Sequence, residues 1–304
     1  MQSHPLTGLP KSHSEPQVHL SSIWQTSRFA IDLARPRIMA IVNVTPDSFS
    51  TGEGQHLGQA NELTKKSIEL SQAQLKAGAH LLDIGAESTR PGASAVSAEE
   101  EWARLKPVLE EVLRWGVPVS VDTYKPVTMQ KALDMGVDII NDVWALRQEG
   151  ALKVVSSFAC GVCLMHMHAE PQTMQLSPMQ GDAVLMVKDF LQEQVRVALQ
   201  AGVARERLVL DPGIGFGKTV EQNFSLLEKQ SALMQLSLPL LVGWSRKSSL
   251  GAVTGLDIQH RLVASVSAAL LAVERGAKVV RVHDVQVTQE ALTIWQHASP
   301  QSAT

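Results

Sequence analysis

"IVNVTPDSFS" (residues 41–50) changes character halfway. Ile41, Val42 and Val44 are β-branched, as a buried strand prefers, but Asn43 sets an amide among them and Pro46, Asp47 and Ser48 stop the run. The same change, from a short apolar run to a polar tip and then to helical spacing, recurs along the chain. The runs are Ile38–Val44, His80–Ile84, Val117–Val121, Val137–Ile140, Val162–Met165, Leu208–Leu210, Leu238–Val242 and Lys278–Val282, eight in all. Continuous apolar character marks strands covered on both faces. Between or after them, helical spacing covers Leu63–Ala77, Ala98–Leu113, Met129–Met135, Ala151–Phe158, Ala183–Ala201, Val220–Leu236, Arg261–Arg275 and Thr288–His297. Ser97 before Glu99, Glu100 and Glu101 reads as an N-cap with an acidic first turn, and Gly78, Gly202 and Gly276 read as helix stops. Eight alternations over roughly 265 residues predict a (β/α)₈ TIM barrel. A doubly wound open sheet is the alternative.

With 304 residues, 44% hydrophobic, the chain can build one large core. The reading is a single domain over 21–298, a disordered tail over 1–20 and a short tail over 299–304. Ile23, Phe29, Ile31 and Leu33 in "SSIWQTSRFAIDLA" (21–34) predict a hairpin or cap over the N-terminal mouth of the barrel. No apolar run is long enough to span a membrane, and the first twenty residues lack the apolar stretch of a secretory signal. A net charge of −3 leaves no electrostatic footprint for nucleic acid. Cys160 and Cys163 cannot form a disulfide scaffold, which fits a cytoplasmic protein, and their place in an apolar run favours packing over redox chemistry.

Each run ends in chemistry. The tips are Asn43, then Asp83 with Glu87-Ser88-Thr89-Arg90, then Asp122, Asn141-Asp142, His166, Asp211, Ser245-Arg246-Lys247, and Arg281, His283 and Asp284. In a barrel these ends meet on one rim, where active sites form. Asp122, Asn141 and Asp211 suit a heterocycle bearing N–H groups, whereas Arg90, Lys247, Arg281 and His283 suit a phosphorylated arm.

"DPGIGFGKT" (211–219) resembles a P-loop but fails by one residue, because counting back from Gly217 lands on Pro212. It reads as a glycine-rich turn that lets backbone approach a flat ligand, or as an ordinary βα turn. "HMH" (166–168) could hold a metal, but no third ligand has clear spacing, so it reads as one pocket histidine and one surface histidine. In "ESTRPG" (87–92) and "SRKSSLG" (245–251), hydroxyls beside cations can cap a helix or bind an anion.

The segments "IVNVTPDSFS", "DIGAESTRPGA", "VSVDT", "IINDV", "LMHM", "LDPGIGFGK", "PLLVGWSRKS" and "VVRVHDV", in this order from about Trp24 to His297, resemble the dihydropteroate synthases. The resemblance implies a (β/α)₈ barrel and a transferase of folate biosynthesis, which joins a dihydropterin CH₂-diphosphate to 4-aminobenzoate and releases pyrophosphate. It implies that Asp122, Asn141, Asp211 and Lys247 hold the pterin. Thr89, Arg90, Arg281 and His283 would surround the diphosphate, with Arg90, Lys247, Arg281 and His283 as the catalytic set. Asn43 would ligate Mg²⁺. Phe49, Pro91, Lys247 and Ser248 would border the 4-aminobenzoate pocket, which sulfonamides occupy by mimicry. Loops 45–54 and 87–93 would close over the site, and late helices would form a homodimer.

Several positions depart from the family pattern. Thr51-Gly52-Glu53-Gly54 stands where Asp-Gly-Gly is usual, Ala86 where glycine is common, Tyr124 where serine is common, and His168 where glutamine is common. Two alternatives stay open on sequence: a pterin-dependent methyltransferase domain, and a catalytically silent pterin-binding paralogue.

Overall fold

The computed structural model describes residues 22–45, 56–88, 95–169, 174 and 177–299. The expected tail at 1–20, all but Ser299 of the expected tail at 299–304, and most of the first lid loop lie outside them.

Eight parallel strands make the barrel: β3 (Arg37–Asn43), β4 (Leu81–Gly85), β5 (Val119–Asp122), β6 (Ile139–Asp142), β7 (Gly161–Met165), β8 (Leu208–Asp211), β9 (Leu241–Val242) and β10 (Val279–Val282). Their order is β8-β7-β6-β5-β4-β3-β10-β9. A parallel bridge from Leu210 to Leu240 joins the two ends and closes the ring. The predicted barrel is therefore the fold.

Alternation along each strand sorts the side chains. Ile38, Ala40, Val42, Leu82, Ile84, Val119 and Val121 point outward into a shell shared with α2 (Ala98–Val112), α3 (Pro126–Asp134) and α5 (Ala183–Gln200). Met39, Leu81, Ile139, Cys163, Val209, Leu241 and Val279 point inward and make an apolar floor. One pleat higher the inward residues of β4, β6, β8 and β10 turn polar, as Asp83, Asn141, Asp211 and Arg281.

The hairpin of β1 (Ile23–Gln25) and β2 (Ala30–Asp32) seals that floor from below. Cross-strand pairing puts Trp24 and Ile31 on one face, and both are buried with Leu33 against the floor. Ile23, expected to face the barrel, lies on the other face and is 44% exposed. The Trp24 indole donates to the Arg207 carbonyl at 2.9 Å. A Cβ on Gly161 would stand 2.9 Å from that indole nitrogen, so the missing side chain makes room for the ring. Arg28 pins the hairpin through a forked ion pair to Asp138, at 2.8 and 2.6 Å.

The helices follow the predicted rhythm, with α3 and α10 (Val285–Ala298) each starting three residues early and three larger differences. α1 (His56–Lys76) begins earlier than expected, and α8 (Ser248–Thr254) adds an unpredicted turn after β9. The stretch 220–236 is broken into α6 (Val220–Glu228) and α7 (Ser231–Met234). At the break, buried Gln230 donates to the carbonyls of Ala272 and Arg275, completing the end of α9 (Leu262–Glu274). The Ser97 cap is as read: its hydroxyl accepts the Glu100 N–H at 3.1 Å. α4 (Ala151–Ser156) and α10 (Val285–Ala298) complete the set. No described helix is long and apolar enough to cross a membrane.

Trp24→Ala removes both the plug and its indole hydrogen bond. A loss of about 3–5 kcal/mol is expected from the large-to-small change in a packed core, to be read from urea denaturation at constant m-value.

Candidate active site

The polar layer inside the barrel is a hydrogen-bonded ionic cluster. Arg281, inward on β10, donates from Nε to Asp83 Oδ2 at 2.6 Å and from Nη2 to Asp122 Oδ2 at 2.7 Å. The same Asp83 oxygen accepts Asn141 Nδ2 at 3.0 Å. β4, β5, β6 and β10 thus deliver four side chains to one place. Burial pushes the Asp122 carboxyl well above the ordinary value of 3.8, and Asp83, Glu101 and Asp142 add to this, while Arg281 opposes it. Burial alone would lower Arg281, but Asp83 and Asp122 outweigh it and hold the guanidinium protonated.

Next to this cluster stands Asp211, at the end of β8. Its Oδ1 accepts the Gly213 N–H at 2.7 Å. Burial raises its pKa, against Gly213, Lys247, Arg281 and Lys218. Gly213 opens the glycine-rich turn at φ +67, and a Cβ there would stand 1.8 Å from the His166 carbonyl oxygen. Buried Lys218 clamps the turn, donating to the carbonyls of Gly213 (2.8 Å), Phe216 (3.1 Å) and His166 (3.4 Å). Burial lowers this ammonium to about 7, although Asp211 supports its charge. The turn also sets Phe216 beneath Lys247, whose Nζ lies 4.3 Å from the ring centroid. Burial lowers Lys247 to about 8, again against Asp211.

The loop after β9 is laced to the tip of β10. The Ser245 hydroxyl accepts the His283 N–H at 3.2 Å and lies 2.9 Å from its Nδ1. Arg246, in the left-handed region at φ 60, pairs with Asp284 at 2.7 Å. Arg261 donates to the carbonyls of Arg246 and Lys247. Lys247 is the residue before α8 and Ser248 its first residue.

The structure therefore brings Asp122, Asn141, Asp211, Lys247 and Arg281 into one interacting group, with His283 joined through Ser245. Arg281 sits deeper than a rim cation, paired with two carboxylates. Phe49, Thr89, Arg90 and Pro91 lie outside the described residues. Asn43 stands half-buried at the end of β3 beside Gly85. Sequence alone places Asp83 among the polar tips without a role and assigns none to Lys218. A carboxylate inside "LLDIG" and a lysine closing a glycine-rich turn were the available signals.

His166 is buried against the edge of Phe190, and burial, with Lys218 and His168, drives its pKa down to about 2, so it stays neutral. No group of three potential ligands among the described residues could hold a metal at "HMH". Cys160 and Cys163 are both buried and form no disulfide, as packing residues should be.

The profile of the family described as "pterin binding enzyme" matches residues 39–283. Among characterised proteins, the dihydropteroate synthase of Neisseria meningitidis serogroup C is 49% identical over 278 residues, 90% of this chain and 96% of that one. The chain belongs to the dihydropteroate synthase family of pterin-binding enzymes. The Escherichia coli K12 dihydropteroate synthase is 43% identical, covering 87% of this chain and 92% of its own. Among solved structures, a Xanthomonas albilineans dihydropteroate synthase with 4-aminobenzoic acid superposes with TM-score 0.84 at 44% identity, over 91% of this chain and 100% of that one. A Burkholderia cenocepacia dihydropteroate synthase complexed with 7,8-dihydropteroate gives TM-score 0.81 at 44% identity, over 91% and 96%.

Gly213→Ala meets both a positive φ and a carbonyl oxygen, whereas Gly202→Ala meets a positive φ with no neighbour within 4 Å. Strain alone costs about 1–3 kcal/mol, so Gly202→Ala should lose no more than that. Gly213→Ala should lose clearly more, as read from paired thermal unfolding.

Proposed function

We infer that this barrel is a dihydropteroate synthase. It condenses (7,8-dihydropterin-6-yl)methyl diphosphate with 4-aminobenzoate to give 7,8-dihydropteroate and pyrophosphate. The observation that carries the assignment is the convergence of Asp122, Asn141, Asp211, Lys247 and Arg281 on one mouth, in a chain so closely related to dihydropteroate synthases.

The ring of a pterin is flat and carries N–H donors on one edge. Carboxylate oxygens of Asp122 and Asp211 and the amide of Asn141 are the acceptors that suit it. Phe216, packed with Met165 and Met167, supplies apolar surface for a flat ring. Lys247 extends across Phe216, close enough to reach both ring and aminobenzoate. In the reaction the bond from CH₂ to diphosphate oxygen breaks and one from CH₂ to the arylamine nitrogen forms. The carbon becomes cation-like, and the fixed charges of Asp122 and Asp211 favour that state. Arg281 and His283 would meet the leaving diphosphate, with Thr89 and Arg90 as further partners. The arylamine is neutral at pH 7, attacks with its lone pair and then loses a proton, so no strong general base is needed. Ser248 and Lys247, with Phe49 and Pro91, would receive the aminobenzoate, and a sulfonamide would take the same place.

Asn43 fits a Mg²⁺ site in kind: it is a neutral oxygen donor, and its amide has no hydrogen-bond partner among the described residues. The ion would be held between this amide and the diphosphate of the substrate, and when bound would neutralise charge developing on the leaving group.

The assembly we propose is a homodimer through the late helices. Leu262, Val263 and Leu271 on α9 and Ile294 on α10 are exposed, Val263 at 74% and Ile294 at 71%. The cytoplasm is the compartment that suits two free buried cysteines.

The purified protein, given the pterin diphosphate, 4-aminobenzoate and Mg²⁺, should release pyrophosphate. Pterin binding without release would sink the assignment. Asp211→Ala should weaken pterin binding by about tenfold or more, the scale of a charged hydrogen bond. Asn43→Ala should lower turnover and leave pterin affinity unchanged. Arg281→Ala should lower both, because it leaves Asp83 and Asp122 without their counter-ion. Acidification should weaken pterin binding with a midpoint above 3.8, since Asp122 must be ionised to accept and its folded pKa is raised. Val263→Glu with Ile294→Glu should yield a monomer by light scattering.

A further inference from the structure

We propose that Asp83 is a positioning residue that decides which atoms of Asn141 and Arg281 face the substrate, an inference that rests on the functional reading above. "LLDIG" puts this carboxylate at the centre of a strand whose five residues are all buried. Burying a carboxylate costs several kcal/mol unless it is paired and hydrogen-bonded. Asp83 answers that cost with two side chains from other strands, both on Oδ2: Arg281 Nε at 2.6 Å and Asn141 Nδ2 at 3.0 Å. It is fully buried itself, so it acts on a ligand only through them.

Both contacts select an orientation. An ionised carboxylate only accepts, so the Asn141 amide must turn its NH₂ toward Asp83. Its Oδ1 is thereby the atom left for the ligand. The flipped amide would bring two oxygens together in a low-dielectric interior. Asn141 is thus fixed as an acceptor, the role that an N–H-bearing pterin edge requires. Arg281 is constrained in the same way. With Nε on Asp83 and Nη2 on Asp122, its Nη1 remains for an anion. Without Asp83, the amide is free to flip and the guanidinium keeps a single anchor.

Asp83 also shapes the charge at Asp122. The charged and titratable groups facing Asp122 are Arg281 of β10, Asp83 of β4, Glu101 of α2, Asp142 of β6, Cys163 of β7 and Lys247 after β9. Removing the Asp83 charge takes away one repulsion and leaves Arg281 to Asp122 alone. Both effects lower the Asp122 pKa.

The test is Asp83→Asn, isosteric and uncharged, with 6-hydroxymethyl-7,8-dihydropterin as the probe in calorimetry from acid to neutral pH. The affinity of the variant should fall by about tenfold or more, the range for a lost charge-assisted network. The acid midpoint of binding should move to lower pH, which a general loosening of the barrel would not produce. An unchanged affinity, or a lower affinity with an unmoved midpoint, would overturn the role. A measurement on the native protein covers a variant that fails to fold. The Asn141 side-chain amide protons, followed by ¹⁵N NMR, should exchange slowly in the free protein and stay on Asp83 when the probe binds. Exchange at solvent rate, or transfer of these protons to the ligand, would refute the assignment. If native protein does not bind the probe, the functional reading fails, and the protection of Asn141 in the free state still decides for or against Asp83.

Discussion

The constraint on which the site depends is electrostatic: Asp83, Asp122 and Arg281 share the largely buried interior of the barrel. None of the three could remain there alone. Arg281 bridges the two carboxylates, because a guanidinium offers donors in a fixed fork. Asn141 then joins through Asp83. The result ties β4, β5, β6 and β10 together above the apolar floor.

Below that layer the barrel is made rigid by ordinary packing. Trp24, Ile31 and Leu33 fill the space that the inward residues of the strands leave at the bottom, and Arg28 on Asp138 holds the hairpin in place. A closed base matters for the chemistry above it. Water entering from beneath would screen the charges of the cluster and weaken the selection among carboxylates, amide and cations. The barrel is therefore apolar where it must exclude water and polar only where a ligand arrives.

On the other side of the mouth, Lys218 and the glycines do for backbone what Asp83 does for side chains. Three carbonyls converge on one ammonium. The turn so formed gives its Gly213 N–H to Asp211 and sets Phe216 against Lys247. The Ser245–His283 and Arg246–Asp284 pairs carry the same order to the last two strand tips. Asn141 and Arg281 are held by Asp83, Asp211 by the Gly213 N–H and His283 by Ser245, partners that are not themselves proposed to meet substrate.

Much of this was legible in the residues. Continuous apolar runs, helix caps and glycine stops specify buried strands and their crossovers locally, and eight of them leave few alternatives to a barrel. The polar tips were legible for the same reason, since a strand end is a local feature. The face of a short hairpin was not: a one-residue change of register separates Ile23 from Trp24, and only the shape of the floor selects between them. Nor was the break at Gln230, whose cause is the end of α9 more than thirty residues away. Asp83 looked like an incidental polar residue because its partners are distant in sequence, and Lys218 because its partners are backbone carbonyls, which no residue type marks; Arg281 was assigned to the rim although it lies among carboxylates. The kinds of chemistry were therefore determined by the chain itself. Which groups meet, and which atom each turns to the ligand, was decided by tertiary structure, because charges in a low-dielectric interior take their roles from neighbours that local sequence does not contain.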